Sequence, residues 1–272
     1  MSAPIGIFDS GFGGLTVARA IVDQLPGEDI VYLADTARAP YGPKPIAEVR
    51  RYALACLDAL VDMGVKALVI ACNTASAAVL ADARERYHLP MTEVILPAVR
   101  RGVRVSGDGR IAVLCTEATA TSGAYDDAMA AAVGVELTTT VCPRFVEFVE
   151  DGITGGPELL AVAEEYLAPV KAAGADTVIL GCTHYPLLSG VISYVLGDQV
   201  TLVSSAQECA NATYSLLARE NLLNPAGQGR HRFLTTGSPQ RFERIAARLL
   251  GDFVGSAEGW QDLSLERVRV EP

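Results

Sequence analysis

Gly64-Val-Lys-Ala-Leu-Val-Ile-Ala-Cys72-Asn73-Thr74 and Gly174-Ala-Asp-Thr-Val-Ile-Leu-Gly-Cys182-Thr183-His184 are the two stretches on which the fold of this 272-residue chain turns. Each runs from a glycine through a short apolar segment rich in β-branched residues to a cysteine followed by polar side chains. That is the pattern of a buried strand ending on a helix N-terminus. Cys182 follows Cys72 by 110 positions, and the same offset sets Glu158 on Glu48 in the helical runs that precede them. A second match, Ile5-Gly-Ile-Phe-Asp9-Ser10 with Ile111-Ala-Val-Leu-Cys115-Thr116, has an offset of 106. The repeat reads as a duplicated α/β half, each copy carrying a cysteine at the C-terminal end of a strand, where open α/β sheets bind ligands. Two such edges facing each other make one site with two thiols.

Outward from the repeat, short apolar runs alternate with helical periodicity, which predicts βαβ units and parallel sheets. The candidate strands are Ile5–Phe8, Ile30–Leu33, Ala67–Ala71, Val94–Leu96, Ile111–Leu114, Val135–Val141, Thr177–Leu180, Val200–Val203, Arg232–Leu234 and Glu266–Val270. The candidate helices include Leu15–Gln24, Ile46–Met63, Ser76–Tyr87, Gly123–Ala132, Glu158–Ala173, Ala206–Glu220 and Pro239–Leu250. The first half is expected to close near Pro97, between the strand Val94–Leu96 and the basic stretch Arg100–Arg104. Residues 98–204 then form the second domain, and residues 205–272 return to pack on residues 1–97. The expected fold class is α/β, with two similar parallel-sheet domains related by pseudo-symmetry and the active site at their interface.

Composition narrows the function. Acidic residues outnumber basic ones 32 to 22, a net charge of −10, and the basic ones are scattered along the chain. A nucleic-acid surface needs clustered Lys and Arg, so direct nucleic-acid binding is set aside. Half of the residues are hydrophobic and a fifth are charged, which excludes intrinsic disorder. No run approaches the roughly 18 apolar residues of a membrane span, and the start MSAPIGIFDSG has neither a basic leader nor an apolar core. A soluble, cytoplasmic protein with no membrane partner is expected. Six cysteines without a C-x-x-C pair argue against a disulfide scaffold and against structural zinc, so each thiol is weighed alone.

At Cys72 the adjoining helix N-terminus favours a thiolate and is expected to lower the thiol from its usual value of about 8.5. Asn73 and Thr74 add donors suited to a carboxylate. Gly181-Cys182-Thr183-His184-Tyr185-Pro186 repeats this geometry with a histidine that can reach the thiol or move a proton. His88, at a helix end, and His231, after a Gly-rich turn, read as surface residues. Phe8-Asp9-Ser10-Gly11-Phe12-Gly13-Gly14 sets an acid and a hydroxyl at a strand end before glycines that admit a ligand to the backbone. It is not a dinucleotide or Walker-A signature. In the proline-punctuated stretch Asp35 to Pro45, Tyr41 and Gly42 are placed to cap a pocket with a hydroxyl and an N–H. Cys56 and Cys209 fall within helical periodicity and read as core. Cys115 and Cys142 lie at strand ends without polar companions. Two thiols on opposed halves can supply a base on one face of a stereocentre and an acid on the other. With only three lysines (Lys44, Lys66, Lys171) in no Schiff-base setting, no pyridoxal cofactor is indicated, and no cofactor or metal is expected.

These motifs, taken together over essentially the whole chain and in order, resemble the glutamate racemases of the cofactor-independent aspartate/glutamate racemase superfamily. The resemblance implies interconversion of L- and D-glutamate and supply of D-glutamate for peptidoglycan. By position it makes Cys72 and Cys182 the acid/base pair, with Asp9 assisting Cys72 and His184 assisting Cys182. Substrate contacts are implied for Asp9, Ser10, Tyr41, Gly42, Asn73, Thr74, Thr116, Thr119, Thr183 and His184. Cys142-Pro143-Arg144-Phe145-Val146 leads to Glu147 and Glu150, and alignment favours Glu150 as the glutamate that approaches the site. The resemblance also implies a homodimer and, in some members, restraint of DNA gyrase. Other two-cysteine isomerases, acting on aspartate or hydantoins, and a Cys182/His184 hydrolase are the competing readings; the hydrolase leaves Cys72 without a task.

Overall fold

Two all-parallel sheets organise the computed structural model, which describes residues 3–224 and 227–260. The first stretch of chain builds β1 (Ile5–Asp9), α1 (Leu15–Gln24), β2 (Ile30–Ala34), α2 (Ile46–Asp62), β3 (Ala67–Ile70), α3 (Asn73–Arg86), β4 (Met91–Glu93) and α4 (Ile95–Val105). The second builds β5 (Arg110–Cys115), α5 (Glu117–Thr121), α6 (Ala124–Met129), β6 (Glu136–Val141), α7 (Pro143–Glu150), α8 (Pro157–Ala172), β7 (Thr177–Gly181), α9 (Ser189–Leu196) and β8 (Thr201–Ser204). The tail adds α10 (Ser205–Arg219), β9 (His231–Thr235), α11 (Pro239–Leu250) and β10 (Glu258–Gly259).

The strand orders carry the repeat into three dimensions. One sheet runs β10-β9-β2-β1-β3-β4 and the other β6-β5-β7-β8, so the order 2-1-3-4 occurs in both and the tail extends the first sheet beyond β2. The central strands β1, β3 and β7 are buried on both faces, as expected of parallel strands covered by helices. The glycines that lead the two repeat stretches have a mechanical reason. Gly64 (φ +76°) and Gly174 (φ +63°) follow the ends of α2 and α8 in left-handed conformation, which glycine adopts without a Cβ clash. Helices α1, α10 and α11 share one core with the first sheet, and α2 and α3 share another on its opposite face. On the second sheet α7, α8 and α9 cover one face and α4 and α6 the other.

Nine of the ten expected strands fall on described residues and eight of those overlap an observed strand; the ninth, Val94–Leu96, is corrected. The strand is Met91–Glu93, pairing Leu68 with Met91 and Ile70 with Glu93, and Ile95 begins α4. The Glu93 carboxylate accepts from the N–H of Ile95 (2.5 Å) and of Leu96 (2.8 Å), starting the helix in place of a strand. Pro97 sits in the first turn, where no intrahelical N–H is required. The basic stretch Arg100–Arg104 is therefore helical. Arg100, Arg101 and Arg104 line one groove with Arg84 and Arg219, so basic residues scattered in sequence are partly gathered in space. The candidate strand Glu266–Val270 lies outside the described residues. Helices α5, α7 and α9, of one to two turns, and the two-residue β10 have no counterpart in the sequence reading. No helix of the described residues is long and apolar enough to cross a membrane.

Candidate active site

Strand ends of the two sheets meet around a cavity of about 220 Å³. Cys72 and Cys182 both line it, with Ser10, Tyr41, Gly42, Asn73, Thr74, Thr116, Glu150, Thr183 and His184 among the other walls. It is small beside the roughly 300–1,000 Å³ of drug-sized clefts, and suits a compact metabolite. Of the residues expected to be catalytic or to contact substrate, Asp9 and Thr119 are the two that do not line it. No group of three or more His, Cys, Asp or Glu among the described residues could hold a metal ion.

Cys72 follows β3 and caps α3. Its sulfur accepts from the Ala75 N–H at 3.4 Å and lies 3.3 Å from the Ser10 hydroxyl. Burial and then the neighbouring charge of Asp9 push the thiol up to about 12, outweighing the bonds from Ser10 and Ala75. The expected lowering by the helix N-terminus is thus overturned: the N–H is in place, but desolvation of a buried sulfur wins. Asp9 ends β1. Its Oδ2 accepts from the N–H of Gly11 (2.9 Å) and Gly14 (3.0 Å) and from the Tyr32 hydroxyl (3.2 Å). Burial still pushes its carboxyl above the usual range. Oδ1, also buried, has no hydrogen-bond partner among the described residues.

Cys182 follows β7, and its environment differs. The His184 Nδ1 is 3.7 Å from the Cys182 sulfur, and Nε2 is 3.3 Å from Glu150 Oε1 at the end of α7. Burial opposes an imidazolium, yet the hydrogen bonds and charges of Cys182 and Glu150 push His184 up to about 10. A charged ring beside the sulfur can hold a negative charge formed there. Of the two candidate glutamates, Glu150 is the one that bonds His184; Glu147 also lines the cavity. Arg248, in the returning tail, donates to the Glu150 carbonyl at 3.1 Å.

The halves are joined across the site. A Cβ on Gly13 would lie 2.5 Å from both His184 Nδ1 and Thr183 Oγ1, and the Thr16 hydroxyl donates to the Thr183 carbonyl at 2.9 Å. Thr74, Thr116 and Thr119 form a triangle of hydroxyls with oxygen separations of 2.9, 3.0 and 3.2 Å. The Gly42 carbonyl accepts from the Ala118 N–H at 2.9 Å, which ties the proline-rich loop to α5. Tyr41 lines the cavity, but its hydroxyl donates to Asp35 Oδ2 at 2.5 Å, so its ring and main chain, and not the expected hydroxyl, are what it offers a ligand. The sequence reading missed Tyr32 and Tyr125, each a buried tyrosine far in sequence from the polar residue it bonds; nothing local marks them. His88 is exposed and His231 is partly exposed in β9. Cys56 and Cys209 are buried on α2 and α10. Cys115 and Cys142 are buried at the ends of β5 and β6, where the Tyr185 hydroxyl donates to their carbonyls.

Two parallel-sheet α/β halves with a cavity at their strand ends make the fold that solved racemases share. The sequence profile of the family Asp/Glu/Hydantoin racemase matches residues 5–213. A glutamate racemase of Parafrankia sp. is 63% identical over 255 residues, covering 92% of this chain and 91% of its own. The crystal structure of a glutamate racemase isoform from Bacillus anthracis superposes with a TM-score of 0.92 at 39% identity, over 96% of this chain and 98% of that one. That of the Francisella tularensis glutamate racemase, in complex with D-glutamate, gives 0.89 at 33% identity, over 98% and 99%. The chain belongs to the Asp/Glu/Hydantoin racemase family and, within it, to the glutamate racemases.

Proposed function

We propose that this protein interconverts L- and D-glutamate by proton transfer at the α-carbon between Cys72 and Cys182, without a cofactor. The observation that carries the reading is that two thiols from equivalent strand ends of the two sheets line one cavity. One sulfur, as thiolate, takes the α-proton; the C–H electron pair stays on the substrate; the other, as thiol, delivers a proton to the opposite face. One C–H bond breaks and one forms, and the sulfurs exchange protonation states, to be reset by solvent or by the reverse turnover. In the resting site Cys72 is the thiol, and His184, charged and held by Glu150, faces Cys182. Asp9 serves the Cys72 side. The donors of Asn73, Thr74, Thr116 and Thr183, with Ser10, Tyr41 and Gly42, bind the substrate, Thr119 supports Thr74 and Thr116 from behind the wall, and fixed donors of this kind stabilise charge developing at the carboxylate. The complex of the Francisella tularensis relative with D-glutamate supports glutamate as the substrate.

The same reading assigns residues 1–97 with 205–272 to one domain and 98–204 to the other. It makes the protein a cytoplasmic homodimer that supplies D-glutamate to the cell wall. The test is deuterium uptake at the α-carbon of each enantiomer. Cys72→Ser and Cys182→Ser each abolish racemisation, and unchanged racemisation in both variants sinks the mechanism.

A further inference from the structure

One buried donor in the site has no partner among the described residues. The Nδ2 of Asn73 is sealed from solvent and unpaired among the described residues, although Asn73 lines the cavity. Leaving such a group unpaired costs about 1–3 kcal/mol, so its orientation has to be imposed. What imposes it lies on the other half. The hydroxyl of Tyr125, in α6 and 2% exposed, donates to Asn73 Oδ1 at 2.8 Å. The hydroxyl lies close to the Cys182 strand end: a Cβ on Gly181 would meet it at 3.0 Å, after Val113 Cγ2 at 2.7 Å and the Leu114 carbonyl at 2.9 Å. An amide that accepts through oxygen on one side presents its NH2 on the other, and among the described residues no other partner is seen for the tyrosine hydroxyl to reward a flipped amide.

We infer that Tyr125 is a positioning residue: it fixes the Asn73 amide so that Nδ2 points at the substrate carboxylate. The inference rests on the glutamate reading above. It also means that the binding donor beside Cys72 is aimed only when the half carrying Cys182 is in place. Tyr125→Phe keeps the ring and loses the bond, releasing the amide to turn. KM for D-glutamate then rises about tenfold, the value of one net hydrogen bond, while kcat stays within about threefold. Asn73→Asp is the second variant. It leaves an oxygen facing Tyr125 and puts an oxygen where Nδ2 stood. A negative charge then stands beside the substrate carboxylate, and KM rises about a hundredfold if the Nδ2 position faces that group.

The experiment measures KM and kcat for D-glutamate in the parent, in both variants, in Asn73→Ala and in Tyr125→Phe/Asn73→Ala, with melting temperatures as a check on folding. The double variant matches Asn73→Ala alone, because Tyr125 acts through the amide. A parent without turnover refutes the glutamate reading and this inference with it. An active parent with KM unmoved in Tyr125→Phe, or in Asn73→Asp, overturns this inference alone. If Tyr125→Phe does not fold, Tyr125→Leu, which also removes the hydroxyl, takes its place in the same comparison.

Discussion

His184 and Cys72 hold their protons for opposite reasons. Burial and a nearby carboxylate keep the thiol of Cys72 protonated up to about 12, whereas partners on both ring nitrogens keep His184 charged up to about 10 despite burial. The two faces of the site are therefore unequal at rest, although the repeat makes them equivalent in backbone. His184 gives this a testable sign. Its folded value lies above its ordinary 6.5, so its contribution to stability is full below about 6.5 and is lost as pH rises through about 10. Glu150→Gln removes one of the partners. The upper limb of the kcat/KM profile is expected to move down by about one pH unit, and the melting-temperature gap between parent and variant to be widest near pH 6 and to close toward pH 10. An unshifted profile would show that Glu150 does not act through the imidazole. The sequence made His184 conspicuous, two positions from a cysteine. It could not show the depth of burial at Cys72, which depends on strands and helices distant in sequence, and so the direction of that thiol's shift was misread.

At the scale of elements, legibility tracked length and periodicity. α1 and α11 end where the apolar pattern and the Pro and Gly punctuation place them. Val94-Ile95-Leu96 was misread because three apolar residues fit a strand and a buried helix start equally well. Glu93 ahead of them and Pro97 behind were the available signals for a helix. The N-terminal glycine loop shows what a pattern alone leaves out. Gly13 was read as giving a ligand access to the backbone, yet what the missing Cβ makes room for is Thr183 and His184. Gly13→Ala should push that pair aside. A displacement near 1 Å costs about a hundredfold in rate, so kcat/KM should fall by about that factor with little change in melting temperature. A variant of parental activity would mean that the loop yields and His184 does not.

For the molecule as a whole, the tail is held by contacts that no local pattern in the sequence marks. Lys66, at the approach to β3, pairs with Glu28 at 2.5 Å and donates to the Leu222 carbonyl at 2.6 Å, while Glu28 also accepts from the Asn224 N–H. Both charged side chains are almost wholly buried. Lys66→Met strands a carboxylate in the interior, and chemical denaturation should show a loss of about 3–5 kcal/mol, with Lys66→Met/Glu28→Leu recovering part of it. A loss under about 1 kcal/mol would mean that water reaches Glu28.

That tail also dictates the order in which a ribosome can finish the protein. β2 is paired on its outer side by β9, and the apolar face of α1 shares its core with α10. Roughly 200 residues separate the end of β2 from the end of β9, or roughly 10–40 s of synthesis at roughly 5–20 residues per second. Throughout that interval the nascent first half carries an open strand edge, and all four strands of the second sheet are made before it closes. The sheet begun first is completed last, and the emerging chain must keep β2 unpaired until its own C-terminal strand arrives.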